Sequence, residues 1–231
     1  MLKRRKTVIT VLVVLIVGLG LVSVGPMLYS LIMGPGVTAG ELNADSAEPP
    51  STEMDGEWVV TAGDGVNPTA VGFTFNEILP AEKKVTSGAT TDVSGQASVS
   101  DSTLTDGEIV VEMDNLTTDN DRRDVNVRMK ILHTDEFPTA TFTLSDPVDL
   151  SGIPEDGTPG EVDLTGDLTI HGVTNEVSAP FQVLRDGEKV ILAGDILFNR
   201  LDFNVESPDF VAAKIAEEGE VNILLSLEKE N

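Results

Sequence analysis

Two arginines and one histidine are the side chains of this chain that could hold or act on a polar group. The guanidinium groups of Arg123 and Arg200 can donate to a phosphate or carbonyl oxygen as a planar fork, or they can pair with nearby carboxylates such as Asp124 and Asp202. His171 could act as a general base only with a partner and a substrate within hydrogen-bonding reach, and its local sequence offers neither. The two arginines are therefore candidate polar binding contacts, with pairing to a carboxylate as the alternative, and no catalytic residue is predicted.

The sequence gives little support for a metal site or for thiol chemistry. The chain has no Cys, which excludes disulfides, thiolate metal ligands and a Cys nucleophile. Asp119, Asp121 and Asp124 are spaced like the start of a calcium loop, but the glycine and the distal glutamate of such a loop are missing. His133 lies too far from His171 in the sequence to predict a metal pair. We therefore expect no metal site and no resident cofactor.

The charge of the chain is strongly negative and unevenly distributed. Four of the 15 basic residues and none of the 39 acidic ones lie within residues 1–33, so the rest carries 11 cations against 39 anions. Such a surface repels nucleic acid and anionic lipid headgroups. We expect no nucleic-acid partner, and an acidic surface that favours solubility.

An uncharged apolar run, Thr7–Met33, follows the basic cluster at residues 3–6. About 20 apolar residues are enough to span a bilayer core, and a basic flank stays on the cytoplasmic side. Residues 1–33 are therefore predicted to be a single-pass transmembrane anchor, with the rest of the chain extracytoplasmic. A cleaved signal peptide is the alternative, with Val37-Thr38-Ala39 as a late cleavage site.

Residues 34–55 are predicted to be a disordered linker. The segment is acidic, contains Gly34-Pro35-Gly36 and Pro49-Pro50, and its few apolar residues have no period. Such a composition cannot offset the entropy cost of ordering the chain. The folded domain is therefore expected to occupy residues 56–231.

This domain shows the two-residue period of β-strands. Apolar and polar residues alternate in seven stretches, as in Val71–Phe75, and one apolar face is typical of an antiparallel sheet with one solvated side. About eight strands with short turns predict a mainly β fold, a single antiparallel barrel, because closure removes exposed edges. Such a barrel is either filled by side chains or holds one small ligand. The inner-face glycines Gly166 and Gly194 favour a cavity.

Two segments depart from this period and predict one or two short helices. The first covers residues 120–131, with Thr118 or Asp119 as its N-cap. The second would begin at Ser207-Pro208 and end at Gly219. Turns are predicted at Asp106-Gly107, Gly172, Asp186-Gly187 and Glu218-Gly219, where residues tolerate positive φ.

Three motifs in order resemble the signature of the YceI-like family. They are Arg123-Asp124 followed by Asp135-Glu136-Phe137 and Pro138-Thr139-Ala140-Thr141-Phe142, then Gly166-Asp167-Leu168-Thr169-Ile170-His171-Gly172-Val173-Thr174, then Asn199-Arg200-Leu201-Asp202-Phe203. The resemblance covers about Asp55 to Lys229. The chain departs from the family pattern at Asn126-Val127, where His-Leu is usual, and at Asn204, where Gly is usual.

The resemblance implies a lipocalin-like barrel that holds an amphiphilic polyisoprenoid, such as a quinone or a prenyl phosphate, in an exported protein without known catalysis. Apolar strand residues would line the cavity, and the two arginines would meet the polar end of the lipid at the barrel mouth. The candidate ligand-binding residues are Phe73, Phe75, Phe142, Leu144, Phe181, Phe198, Phe203, Arg123 and Arg200.

Two other functions stay open. One is an acidic surface interaction module whose barrel is filled by side chains. The other is a cofactor-free isomerase or cyclase that uses the same cavity, which would need a buried polar group with a perturbed pKa. The expected partners are the isoprenoid lipid or quinone and, through the N-terminal helix, the membrane; pairing of two copies of the barrel is an open alternative.

Overall fold

The structure, a computed structural model, describes residues 36–78, 83–206 and 214–230, without the side chains of residues 77, 78, 83, 84 and 214. The predicted transmembrane anchor, residues 1–33, lies outside these ranges. So does the start of the predicted second helix, residues 207–213. None of the helices inside these ranges has the length and apolarity to span a bilayer.

Antiparallel strands make up most of the described residues. They are β1 (Gly56–Thr61), β2 (Ala70–Ile78), β3 (Lys83–Thr90), β4 (Val93–Ser100), β5 (Thr103–Glu112), β6 (Thr139–Leu144), β7 (Val148–Asp149), β8 (Gly160–Ile170), β9 (Val173–Asp186), β10 (Lys189–Asn199) and β11 (Lys214–Lys229).

Eight of these strands close a barrel in the order β1-β4-β5-β6-β8-β9-β10-β11, and β11 pairs back with β1. The long β11 pairs with β1 through its C-terminal part and with β2 through its N-terminal part, so β2 prolongs the position of β1. The neighbouring position is split in the same way between β3 and β4. Each of the pairings between these strands is antiparallel, which confirms the predicted antiparallel barrel of about eight strands.

Tight turns join the strands where two successive residues adopt positive φ. Asp101 and Ser102, with φ of 50° and 58°, join β4 to β5, and His171 and Gly172, with φ of 53° and 72°, join β8 to β9. Positive φ at both central positions is the requirement of a type I′ turn, whose twist matches that of the strands. The predicted turn at Gly172 is therefore confirmed, and so is the turn at Asp186-Gly187.

Two other predicted turns are wrong. Asp106-Gly107 lies inside β5 and Glu218-Gly219 lies inside β11. A register shift accompanies each of them, between Ser98 and Val99 on the partner of β5 and between Ile215 and Gly219 on β11 itself. A glycine inside a strand often marks such an irregularity, because no Cβ opposes the local bend.

One helical segment crosses one end of the barrel. It consists of helix α1, Asp121–Asn126, and a π-helical turn, Val127–Ile131, as the prediction for residues 120–131 requires. The N-cap is Asn120, whose side chain accepts from the backbone N–H groups of Arg122 and Arg123, so the predicted caps Thr118 and Asp119 are wrong. The second predicted helix is wrong from residue 214 onward, because β11 begins there.

Residues 36–55, here called the strap, pack along the outside of the barrel, although their composition predicts a disordered linker. Their apolar residues cover an outward-facing apolar patch on β9, β10 and β11, formed by Leu184, Ile191, Ala193 and Leu224. The covering residues are Leu42, Ala44 and Ala47. The composition of the strap alone indicates disorder. The apolar surface that orders the strap lies more than 100 residues away in the sequence.

Hydrogen bonds to the barrel hold the strap along its length. The N–H of Asn43 donates to Oδ1 of Asn67 at 2.9 Å, and the N–H of Ser51 donates to the carbonyl of Gly187 at 2.8 Å. Arg185 donates to the carbonyl of Thr52 at 2.7 Å. These bonds satisfy backbone groups that a loose linker would leave to water.

Candidate functional site

A cavity of about 520 Å³ lies inside the barrel and extends to the end that carries α1, here called the helix end. Its wall is formed mainly by apolar residues of β2, β4, β5, β6, β8, β9, β10 and β11. The volume falls within the roughly 300–1,000 Å³ that is usual for small-molecule sites. The barrel therefore contains a cavity and is not filled by its own side chains.

The structure brings eight of the nine predicted site residues to this cavity. Those eight are Phe73, Phe75, Phe142, Leu144, Phe181, Phe198, Arg123 and Arg200. Phe203 is the exception: it is fully buried behind the wall, edge-on to Phe198 at 5.8 Å between ring centroids. Its placement outside the lining follows from the 3₁₀ turn Arg200–Phe203, which ends the strand period at Asn199.

Four of the five phenylalanines of the wall lie against a glycine of the neighbouring strand. Phe75 faces Gly219, Phe181 faces Gly194 and Phe73 faces Gly88 in register, and Phe142 lies diagonally over Gly166. A Cβ added at Gly194 would stand 2.6 Å from the Phe181 ring, and one at Gly88 would stand 3.0 Å from the Phe73 ring. The glycines therefore let the rings lie against the wall.

This arrangement corrects the sequence interpretation of Gly166 and Gly194. Their missing side chains do not leave unoccupied space, because the rings of Phe142 and Phe181 fill it. The cavity stays open since the rings lie over the neighbouring strand. Gly219 and Gly88 were missed as site residues, and only the strand register, which pairs them with Phe75 and Phe73, would have identified them.

The opposite end of the barrel, here called the base, is packed. Trp58 is 3% exposed there, and its indole N–H donates to the carbonyl of Met54 in the strap at 2.8 Å. Trp58 belongs to a buried cluster that also contains Met54, Val99, Leu150, Ile153, Val183 and Leu227. A small secondary cavity of about 70 Å³ borders these residues.

Arg200 is a buried cation on the cavity wall. It is 7% exposed and donates to the carbonyls of Val205 at 2.6 Å and Ala216 at 3.2 Å. Within the described ranges no carboxylate lies in ion-pairing distance of it, so the predicted alternative pairing with Asp202 is not formed. A buried guanidinium without a counter-charge can bind an anionic or strongly polar ligand group.

Arg123 is held differently. It forms an ion pair with Asp119, one helical turn earlier, and also lines the cavity from α1. Asp124 is not its partner, because that buried carboxylate accepts from the N–H and the hydroxyl of Thr118 at 2.7 Å and 2.6 Å. Of the two alternatives for Arg123, pairing with an acid is therefore formed, with Asp119 in place of Asp124. Its charge is already partly compensated, unlike that of Arg200.

The two histidines meet beside the helix end, although their sequence separation suggested otherwise. The ring centroids of His133 and His171 lie 5.5 Å apart, and Phe137 lies 4.6 Å from His171. Both ring nitrogens of His171 are buried without a hydrogen-bond partner within the described part of the chain. No cluster of three metal-ligating side chains is present in that part.

Comparison with known sequences and structures places this barrel in a family. The model of the YceI-like domain matches residues 65–227. The chain belongs to the YceI-like family. A comparison with curated protein sequences gives no match.

Solved structures show the same fold as this YceI-like chain. BcnA from Burkholderia cenocepacia is 21% identical, with a TM-score of 0.55 over 68% of this chain and 95% of that one. A polyisoprenoid binding domain from Saccharophagus degradans, described as implicated in plant cell wall breakdown, is 19% identical, with a TM-score of 0.57 over 75% and 98%. The YCEI protein from Campylobacter jejuni is 17% identical, with a TM-score of 0.50 over 62% and 85%.

The three motifs that carry the YceI-like resemblance meet at the helix end. The first forms the helical segment and β6, the second forms the β8–β9 hairpin, and the third forms the 3₁₀ turn after β10. Phe137 of the first motif lies over Gly172 of the second. At the position where the family usually has Gly, Asn204 adopts the left-handed conformation with φ of 55°, which Asn tolerates better than most residues. The turn therefore survives the departure from the family pattern.

Proposed function

We propose that this protein binds an amphiphilic isoprenoid lipid, such as a quinone or a prenyl phosphate, and stores, transports or protects it. The observation that carries the proposal is an apolar cavity of about 520 Å³ with a buried arginine at one end that forms no ion pair with any described residue. The related domain from Saccharophagus degradans, described as polyisoprenoid binding, supports the same ligand class.

The cavity favours a long apolar chain for an energetic reason. Burial contributes about 25 cal/mol per Å² of apolar surface removed from water, so a prenyl tail gains along its whole length. At about 24 cal/mol per Å³, an apolar volume of 520 Å³ left without a filling molecule would cost on the order of 10 kcal/mol. This is as large as the whole free energy of unfolding of an ordinary domain, roughly 5–15 kcal/mol. We therefore expect the lipid to stabilise the fold.

The polar end of the lipid is assigned to Arg200. Its backbone partners are two carbonyls, which leave its positive charge uncompensated within the described ranges. A phosphate, or the carbonyl oxygen of a quinone, would supply the missing acceptor, with Arg123, Asn120 and Asn126 lining the cavity nearby. The prenyl tail would then point towards the base.

Membrane attachment belongs to the same proposal. The basic and apolar character of residues 1–33 supports a single-pass anchor that keeps the barrel on the extracytoplasmic side. Such an anchor would hold the barrel near the bilayer in which isoprenoid lipids dissolve.

Native mass spectrometry of the full chain, purified without added lipid and followed by organic extraction, tests the ligand. We expect a stoichiometric isoprenoid in the extract. Ala140→Phe, which adds a ring inside the cavity, should lose the lipid, and Thr143→Phe on the outer face of the same strand should keep it. A lipid-free mass that takes up neither quinones nor prenyl phosphates would contradict the proposal.

A further inference from the structure

Exposed apolar side chains collect at the helix end. Val125 and Met129, one helical turn apart on the outer side of the helical segment, are 51% and 47% exposed. Leu197 near the end of β10 and Leu201 in the 3₁₀ turn are also exposed at this end. Four of the six large apolar side chains that are exposed among the described residues thus lie at this end, and a group of exposed apolar side chains is a candidate interaction site.

The same helical segment is rich in cations. Arg122, Arg123, Arg128 and Lys130 are four of the 11 basic residues that follow residue 33. Arg123 is paired with Asp119, whereas Arg122, Arg128 and Lys130 form no ion pair with any described residue. Of the two acids in the segment, Asp124 is buried and only Asp121 is exposed. Within the segment, three cations that form no ion pair with a described residue therefore face one exposed carboxylate, and Asp135 and Glu136 are exposed directly after it.

The cations of the base, in contrast, have partners within the protein. Arg185 pairs with Glu155 at 2.6 Å and Lys189 pairs with Asp64 at 3.0 Å. Lys229 donates to the carbonyl of Glu53 and lies over the ring of Trp58. Positive charge that is available to a partner thus lies at the helix end.

The inner side of the helical segment is the wall of the cavity. Arg123, Asn126, Val127 and Ile131 line the lumen, while Val125, Met129 and Lys130 are exposed on the outside. Whatever binds the outer face therefore lies one helix diameter, about 10 Å, from the space that holds the ligand.

We propose that the outer face of residues 121–131 docks on an anionic lipid bilayer and turns the helix end of the cavity towards the membrane. Apolar side chains flanked by Arg and Lys are the pattern of segments that lie in a bilayer interface, where the long basic side chains reach the headgroups. The proposal extends the proposed function, because a cavity that faces the bilayer can exchange its lipid with it.

The acidic surface of the rest of the domain repels anionic headgroups, but only over a short distance. At physiological ionic strength charges act over about 8 Å, so the bilayer interacts with the face nearest to it. Acidic residues such as Asp202, Glu217 and Glu218 are exposed elsewhere at this end, which restricts docking to the helical segment. An anionic bilayer would repel the acidic base if the base came close to it, which favours the orientation in which the helix end faces the membrane.

Site-specific fluorescence on the full chain in vesicles tests the proposal. Since the chain has no Cys, Val125→Cys can carry an environment-sensitive dye, and Glu188→Cys, exposed between β9 and β10 at the base, is the matched control. In vesicles of phosphatidylcholine and phosphatidylglycerol we expect spin-labelled lipid to quench the dye at residue 125 and not at residue 188. Quenching should weaken in pure phosphatidylcholine and at high salt.

Charge variants sharpen the test. Removing two cations with Arg122→Gln and Lys130→Gln should lower the ratio of docked to undocked protein on the order of 20-fold, at about fivefold per basic residue. Lys189→Gln with Lys229→Gln removes the same charge at the base and should leave quenching at residue 125 unchanged. Equal loss in both pairs would overturn the proposal, because general electrostatics would then explain it.

Organic extraction of the same vesicle samples separates this proposal from the proposed function. Isoprenoid in the protein without quenching at residue 125 overturns docking and leaves lipid binding intact. Quenching without extractable isoprenoid supports docking and speaks against lipid binding. A dye emission that shifts with protein concentration but is not quenched by lipid would identify a second copy of the chain as the occupant, and would also overturn docking.

Discussion

The two ends of the barrel differ in how their polar and apolar groups are satisfied. At the base, Trp58 is buried with its N–H bonded, and the cations Arg185 and Lys189 have carboxylate partners. At the helix end, Arg200 is buried without a carboxylate within the described ranges, and a π-helical turn, Val127–Ile131, interrupts regular helix geometry. Packing therefore stabilises the base, and the groups available to a ligand or a membrane lie at the helix end, where such departures from local rules are expected.

The largest expected effect is a loss of stability when the largest side chain of the base is truncated. Trp58→Ala removes a fully packed ring and should lower the free energy of unfolding by about 3–5 kcal/mol. Phe198→Ala at the cavity wall should cost clearly less, because one side of its ring already borders the lumen. Urea unfolding monitored by circular dichroism measures both. Equal losses would show that the helix end is packed as tightly as the base.

Adding a methyl group behind a wall phenylalanine should narrow the cavity. Gly194→Ala places a Cβ 2.6 Å from the Phe181 ring, which must move, at a cost of about 1–3 kcal/mol. We expect reduced lipid content in the purified protein as well as lower stability. Gly152→Ala is the matched control, because no atom lies within 4 Å of its added Cβ. An unchanged lipid content in Gly194→Ala would show that the rings do not set the width of the cavity.

Removing Arg200, the buried cation that forms no ion pair with a described residue, should change ligand preference more than stability. Arg200→Met replaces a buried charge with an apolar chain of similar length, which is often close to neutral for folding. Affinity for a prenyl phosphate should fall about tenfold or more, the loss of one charge-assisted hydrogen bond, while affinity for an uncharged prenyl alcohol should change little. Competition binding with the two lipids measures this difference. Arg123→Met, whose charge Asp119 already compensates, should discriminate less.

The smallest expected effect concerns acid stability at the base. The N–H of Asn67, Lys189 and the N–H of Val66 bond the Asp64 carboxylate and lower its pKa from 3.8 to about 2. Because the folded-state pKa is depressed, the carboxylate stabilises the fold above about pH 4, and this contribution is lost as the pH falls towards 2. In Asp64→Asn, the free energy of unfolding should fall less between pH 4 and pH 2 than in the unmodified protein. The difference should be less than about 1 kcal/mol, since the site is exposed. A thermal unfolding series between pH 5 and pH 2 checks this, and a steeper acid limb in the variant would contradict it.

The strands could be predicted from the sequence because their side-chain period is local. Residues such as Ala140, Phe142 and Leu144 alternate with polar neighbours, and the barrel turns that alternation into an inside and an outside. The role of Gly194 could not be predicted, because it depends on which residue of β9 lies opposite it. The arginines were identified by residue type alone, but their different partners required the fold, which buries Arg200 and leaves Arg123 beside Asp119.

The strap also decides where the molecule can be cut. Composition would place the start of the domain at residue 56, yet a fragment beginning there would lack the cover over Leu184, Ile191 and Leu224, three side chains that are fully buried with the strap in place. It would also lose the carbonyl of Met54 that the Trp58 indole uses. Such a fragment would expose an apolar patch prone to aggregation and would be unsealed at its base. Lipid retention measured on that fragment would be too low, because the base of its cavity would no longer be closed. An excised barrel should therefore begin at Gly36.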